Sequence, residues 1–189
     1  MPPHRLGAVL AAAIPAVALL ASACSDTSGL PAAGIANAVD TVSLYALRGT
    51  DIALPSGYTL EGAQRVRTDL TTALDFAFDF DSLGEPALFP TEAIHLGALS
   101  GLQRSTTAFD AIKLAPTGGY VLDKPLALDS GMVVLVRSRP TLCVFGATVS
   151  LYAKLRVLSV DSTARRLDFE ILVNQNCGYR GLEPGLPKQ

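Results

Sequence analysis

Leu74-Asp75-Phe76-Ala77-Phe78-Asp79-Phe80-Asp81 is the stretch that decides the fold class. Leu74, Phe76, Phe78 and Phe80 share one parity; Asp75, Ala77, Asp79 and Asp81 share the other. A strand turns successive side chains to opposite faces, whereas a helix brings residues three and four apart together. Strict alternation predicts a strand, running here from Thr71 to Asp81, with one face in the core and an acidic face in water. Three phenylalanines on one face bury on the order of 150–250 Å² each. This strand is the expected anchor of the core.

The same pattern recurs on both sides. Thr41 to Arg48 reads as a first strand that ends at Gly49, and Pro55-Ser56-Gly57 as a turn. Ser82 to Leu102 is broken by Gly84, Pro86, Pro90, Gly97 and Gly101 and gives no regular element. Thr107–Leu114, Tyr120–Leu122, Leu126–Leu128 and Met132–Arg139 are short strand candidates, with Asp129-Ser130-Gly131 as a tight hairpin turn between the last two. Val149–Val160 and Arg166–Asn174 form a hairpin across Asp161–Arg165. In its second arm Leu167, Phe169, Ile171 and Val173 alternate with Arg166, Asp168, Glu170 and Leu172. After Gly178 the tail carries Gly181, Pro184, Gly185 and Pro187 and is expected to be irregular. Short strands separated by turns predict an all-β domain, an antiparallel β-sandwich or small β-barrel. The chain has no Trp, so the antibody-type core of Trp against a disulfide is absent.

The N-terminus has another character. Arg5 and His4 give a weakly positive start, Ala8 to Ala21 is an apolar run containing Pro15, and Ala21-Ser22-Ala23 precede Cys24. The run is shorter than the roughly 20 residues that span a bilayer. Leu20-Ala21-Ser22-Ala23-Cys24 resembles the signal box of bacterial lipoproteins, a likeness confined to residues 1–24. It departs from that box in having Ala21 where Leu is preferred, with Leu20 one place further out. The resemblance implies cleavage before Cys24 and lipid on its sulfur, which ties the chain to a membrane in the cell envelope. Ser25, rather than Asp, leans towards an outer membrane where the organism has one. Ordinary secretion with a free Cys24 and an uncleaved anchor are the competing interpretations. The expected organisation is a signal peptide over 1–23, a tether over 24–40 and a β-rich globular domain over 41–189. The tether expectation rests on the small, polar composition of residues 25–40.

Removing residues 1–23 from the 189 leaves 166, enough for one domain with a real core. That step loses Arg5 and no acidic residue, so the net charge moves from −2 to −3. No basic run exists, which argues against nucleic acid as a partner. Cys143 and Cys177 remain after Cys24. In an exported chain the default is one disulfide between them. A register argument supports it. If Val160 pairs with Arg165, paired numbers sum to 325 and Cys177 falls opposite residue 148. Cys143 then lies at the same end of the hairpin, and Pro140 and Gly146 allow the fold-back.

No constellation for catalysis stands out. His95 is the only histidine after the signal peptide, no Gly-x-Ser-x-Gly elbow is present, and Ser100 and Ser105 lack a catalytic context. His95, Cys143 and Cys177 are too few and too scattered for zinc. Asp79 and Asp81 are weak metal candidates. The stretch from Asp79 to Glu85 resembles the start of a calcium loop, but Leu83 replaces an oxygen ligand and Pro90 stands where the closing Glu belongs. Asp168 and Glu170 share a strand face roughly 7 Å apart by strand rise, and Arg166 beside them suggests a solvated charged face. Tyr45, Tyr58, Tyr120, Tyr152 and Tyr179 suit either surface contacts or half-buried sheet positions. No cofactor is expected. The leading expectation is a non-catalytic, lipid-anchored envelope protein that binds another envelope protein or a surface polymer. A carrier of a small apolar ligand such as a lipid is the alternative, and a hydrolase on a β scaffold the third.

Overall fold

Ten strands appear among the residues that the computed structural model describes, which are 32–143, 146 and 148–188. They are β1 (Val39–Tyr45), β2 (Gly57–Thr59), β3 (Gln64–Val66), β4 (Phe76–Phe80), β5 (Pro86–Pro90), β6 (Gly101–Ser105), β7 (Leu126–Ala127), β8 (Val133–Leu142), β9 (Thr148–Asp161) and β10 (Arg166–Asn174). The larger sheet has the order β1-β10-β9-β8-β6, the smaller β3-β2-β4-β5-β7, and every pairing is antiparallel. The two sheets close over one apolar core as a sandwich. Tyr58 of the small sheet stacks on Phe76 with ring centroids 5.5 Å apart. Phe169 of the large sheet meets both rings edge-on at 6.1 Å.

The alternation at residues 74–81 does produce a strand, with Phe76, Phe78 and Phe80 in the core. The acidic face, expected in water, is buried as well: Asp75, Ala77 and Asp79 are 0–2% exposed. Gly57, paired with Ala77, explains part of this. A Cβ placed on it would lie 3.0–3.4 Å from Val66, Thr68 and Leu74, so the connection from β3 to β4 folds over that face. The two carboxylates tolerate burial because each is supplied with donors. Asp75 accepts the Leu60 and Arg139 N–H groups, both at 2.7 Å. As Arg139 lies in β8, this carboxylate joins the two sheets. Desolvation holds its pKa above the ordinary value, opposed by those N–H donors and by the charge of Arg139. Asp79 accepts Arg48 Nε at 2.6 Å, the Phe80 N–H at 2.8 Å and Arg165 Nη2 at 3.4 Å.

Other expectations change too. Residues 82–102 contain β5 and part of β6 despite the breakers. Pro86 O accepts the Leu128 N–H, so Pro86 and Pro90, which share its parity, face the β7 side. Strand β7 spans only two residues, opposite Ala87 and Leu88, and the missing proline N–H groups cost no bond to β4. The strand expected at Thr107–Leu114 is a 3₁₀ turn at Phe109–Ala111, with Leu114 bridged to Gly181. Tyr120–Leu122 supplies a single bridge, Val121 to Leu102. The β9–β10 hairpin begins at Asp161–Arg166, a sum of 327 rather than 325, and shifts at a bulge between Asp168 and Phe169. The fold also starts before Thr41. β1 begins at Val39, and residues 34–37 are already bonded to the C-terminal segment. Residues 32–40 of the expected tether thus include an ordered arm, since the Gly34, Ile35 and Asn37 amides find a side-chain or backbone acceptor.

A second apolar cluster lies on the outer face of the large sheet. Phe109, Ile112, Ala115 and Leu182 cover Val133, Leu135 and Leu172. Lys154 projects into this cover and is 2% exposed. Its ammonium donates to Phe109 O at 2.8 Å and Ile112 O at 3.0 Å, and lies 4.6 Å from the Phe109 ring centroid. Desolvation lowers its pKa, against a smaller upward pull from Asp110, Glu183 and Glu170. Unfolding therefore takes up a proton between that depressed value and the ordinary one near 10.4, and stability rises with pH across that interval. Urea unfolding of Lys154→Met at a series of alkaline pH values is expected to lose this rise; equal slopes in variant and parent would contradict it.

Candidate functional site

The end of the sandwich where the N-terminal arm joins the C-terminal tail gathers the most specific chemistry. Strand β10 ends at Asn174, and Asn176 and Cys177 follow one residue later. Asn176 Oδ1 accepts the N–H groups of Gly34 and Ile35, both at 2.9 Å. Its Nδ2 donates to Ile35 O at 2.7 Å and to Asn174 Oδ1 at 3.0 Å. Asn37 exchanges two backbone bonds with Gly185, and its side chain donates to Gly181 O and Glu183 O at 3.0 Å. Asn174 Nδ2 also donates to Gly181 O, at 2.9 Å. All three asparagines are buried. An amide side chain offers two donors and two acceptor sites, so it can close two backbone strands at once where no ladder exists. Gly181 fits because its Cα is crowded: a Cβ would stand 2.9 Å from Lys188 O.

Cys143 and Cys177 form a disulfide at this same end, with a Cα separation of 5.9 Å. The expected bond is present, although the register that led to it was offset. Cys24 lies outside the described residues.

The remaining sequence candidates do not converge. Asp79 is held by Arg48 and Arg165, and the Arg165 guanidinium lies 4.4 Å from the Phe80 ring centroid. Asp81 Oδ1 instead closes its own turn, accepting the Leu83 and Glu85 N–H groups at 2.8 and 3.0 Å. Among the described residues no group of three or more His, Cys, Asp or Glu side chains is placed to hold a metal. His95 is exposed and left-handed at φ 63°, closing a 3₁₀ turn at Glu92–Ile94. Ser100 is buried against Thr91, and Ser105 exchanges hydrogen bonds with residue Thr107.

Asp168 and Glu170 do share the outer face of β10, each with partners. Asp168 accepts Ser43 Oγ at 2.5 Å, Ser159 Oγ at 3.0 Å and Arg166 Nη2 at 3.0 Å. Burial alone would raise its pKa, but these three donors outweigh it and hold it below the ordinary value. Glu170 pairs with Arg156 at 2.7 Å. Tyr58 and Tyr179 are buried; Tyr45, Tyr120 and Tyr152 are half-buried. Burial pushes Tyr58 and Tyr120 well above the ordinary tyrosine range, with smaller charge effects.

No protein-family model matches the chain, and no curated protein does. The asparagine latch was the part that sequence reasoning missed. The signal available was the Asn174-x-Asn176-Cys177 cluster at the end of a strand, where a loop must satisfy its own backbone groups.

The arm–tail junction borders a cavity of about 380 Å³ whose lining includes Lys113, Leu114, Pro184, Leu186, Pro187 and Lys188. The space between the sheets, by contrast, is filled by side chains such as Tyr58, Phe76, Phe78 and Phe169, all at most 1% exposed. Among the described residues no helix is long and apolar enough to cross a membrane.

Proposed function

We propose that the chain is an exported protein of a bacterial cell envelope, anchored by lipid on Cys24, with the β-sandwich as a non-catalytic binding or structural module. Cys24 carries this interpretation: it follows an apolar run and three small residues, as in a lipoprotein signal. The Cys143–Cys177 disulfide supports export, because such bonds persist in oxidising compartments and are rare in reducing ones. The partner class is another envelope protein or a surface polymer. Neither of the other two expectations gains a specific observation. A carrier needs room between the sheets, and aromatic side chains occupy that space. A hydrolase built on His95 needs a nucleophile beside it, and Ser100 is spent on Thr91.

Growth of the producing cells with an alkyne fatty acid tests the anchor. The chain is expected to take up label, and the Cys24→Ser variant to take up none. A parent chain without label, or a variant that keeps it, would remove the lipid-anchor interpretation.

A further inference from the structure

We infer that the cavity beside the arm–tail junction is a docking surface for the phospholipid bilayer that carries the anchor, so that the domain rests on the membrane through this one face. This rests on the lipid-anchor interpretation of Cys24. Three observations carry it further.

The first is the length and exit of the chain. Asn176 holds Gly34 and Ile35, ten residues or so after Cys24. Ten residues reach at most about 35 Å fully extended. A folded domain of this size has a radius of gyration of about 15 Å. That reach is no more than about the width of the domain, and the face bearing Gly34 is kept near the bilayer. The second is that the cavity wall and the clamp are the same segment. Asn37 is bonded to Gly181, Glu183 and Gly185, and Gly181 and Glu183 line the cavity.

The third is the chemistry of the rim. Leu114 is 49% exposed, Leu186 is 61% exposed, and Ile35 on the arm is 50% exposed. Lys113 and Lys188 stand on the same rim. Lys113 meets Glu183 at 3.3 Å, but that pair is well solvated and leaves the ammonium accessible. Apolar tips flanked by lysines suit the boundary between acyl chains and anionic headgroups. The local charge is positive on a chain whose net charge is −2. A tether that presents this face to the membrane at high effective concentration turns a weak contact into a persistent one.

The chain has no Trp, so one introduced indole reports its surroundings alone. The full chain, extracted with its lipid, is reconstituted in vesicles of phosphatidylethanolamine and phosphatidylglycerol with brominated acyl chains. Leu186→Trp is compared with Leu83→Trp, which places the indole on the β4–β5 turn, away from the arm–tail junction, at a site 84% exposed. An interfacial face sits about 5–10 Å deep, so bromine is expected to quench the Leu186→Trp emission about threefold more than that of Leu83→Trp, with a blue shift. Lys113→Glu combined with Lys188→Glu is expected to bring the two towards parity. Equal quenching in a chain whose mass shows lipid on Cys24 would overturn the docking surface and leave the anchor intact. A mass without lipid would overturn both. A blue shift that appears without vesicles and grows with protein concentration would assign the face to a second copy of the chain, and would also overturn the proposal.

Discussion

Phe169→Ala is expected to destabilise the domain by about 3–5 kcal/mol, the range for removing a large buried aromatic. Phe169 is fully buried on β10 and is the large-sheet member of a three-ring cluster with Tyr58 and Phe76. Its truncation removes apolar burial and leaves a void against rings that cannot collapse, because both belong to the opposite sheet and are tied into its ladder. Denaturant unfolding with the disulfide intact reads the effect. Leu83→Ala, at an exposed turn, should stay within about 0.5 kcal/mol of the parent. A Phe169→Ala loss as small as that of Leu83→Ala would mean that the sheets are not held together through these rings.

Replacement of both Cys143 and Cys177 by Ser is expected to cost about 4 kcal/mol in the chain-entropy account. The bond joins residues 34 apart in sequence, and the loop it closes starts just after β8 and spans all of β9 and all of β10. Its local consequence should be sharper than the global one. Cys177 is the neighbour of Asn176, whose side chain holds Gly34 and Ile35. The Gly34 and Ile35 amides are therefore expected to lose hydrogen-exchange protection in the double variant before the β9–β10 ladder does. Loss of protection spread evenly over the large sheet, with the arm unaffected, would contradict this coupling of the disulfide to the latch.

How much of this was legible in the sequence depends on whether the deciding interaction was local. The β9–β10 hairpin was readable because both arms alternate and the turn between them is polar; Arg166–Asn174 has the bounds that were expected. Phe76–Phe80 was readable as a strand for the same reason, although the strand is shorter than the Thr71–Asp81 expected. Its parity could not say that both faces are covered. That depends on the Leu60 and Arg139 N–H groups and on Arg48 and Arg165, all distant in sequence from the carboxylates they serve. Strand β5 was hidden by Pro86 and Pro90, which are harmless only because the neighbouring strand is two residues long. The outer cover was misread because Phe109 and Ile112 give a short apolar pattern that suits a strand, whereas the distant Lys154 holds the Phe109 and Ile112 carbonyls in a 3₁₀ turn. The latch was illegible for a related reason. Asparagines carry no periodicity, and their partners lie about 140 residues away.

The disulfide was within reach despite the wrong register. Beyond the bulge the paired sum is 326, one more than assumed, so the residue opposite Cys177 moves by only one position and Cys143 still falls at the same end of the hairpin. The third cysteine is the one on which the functional account turns.

The most direct test is the intact mass of the protein gently extracted from membranes, taken with and without a dithiol reductant. The account predicts a chain that begins at Cys24, carries the added mass of diacylglycerol and an acyl group, and gains two protons on reduction of Cys143–Cys177. A chain that begins at Met1, or one in which Cys24 bears no lipid, would contradict it.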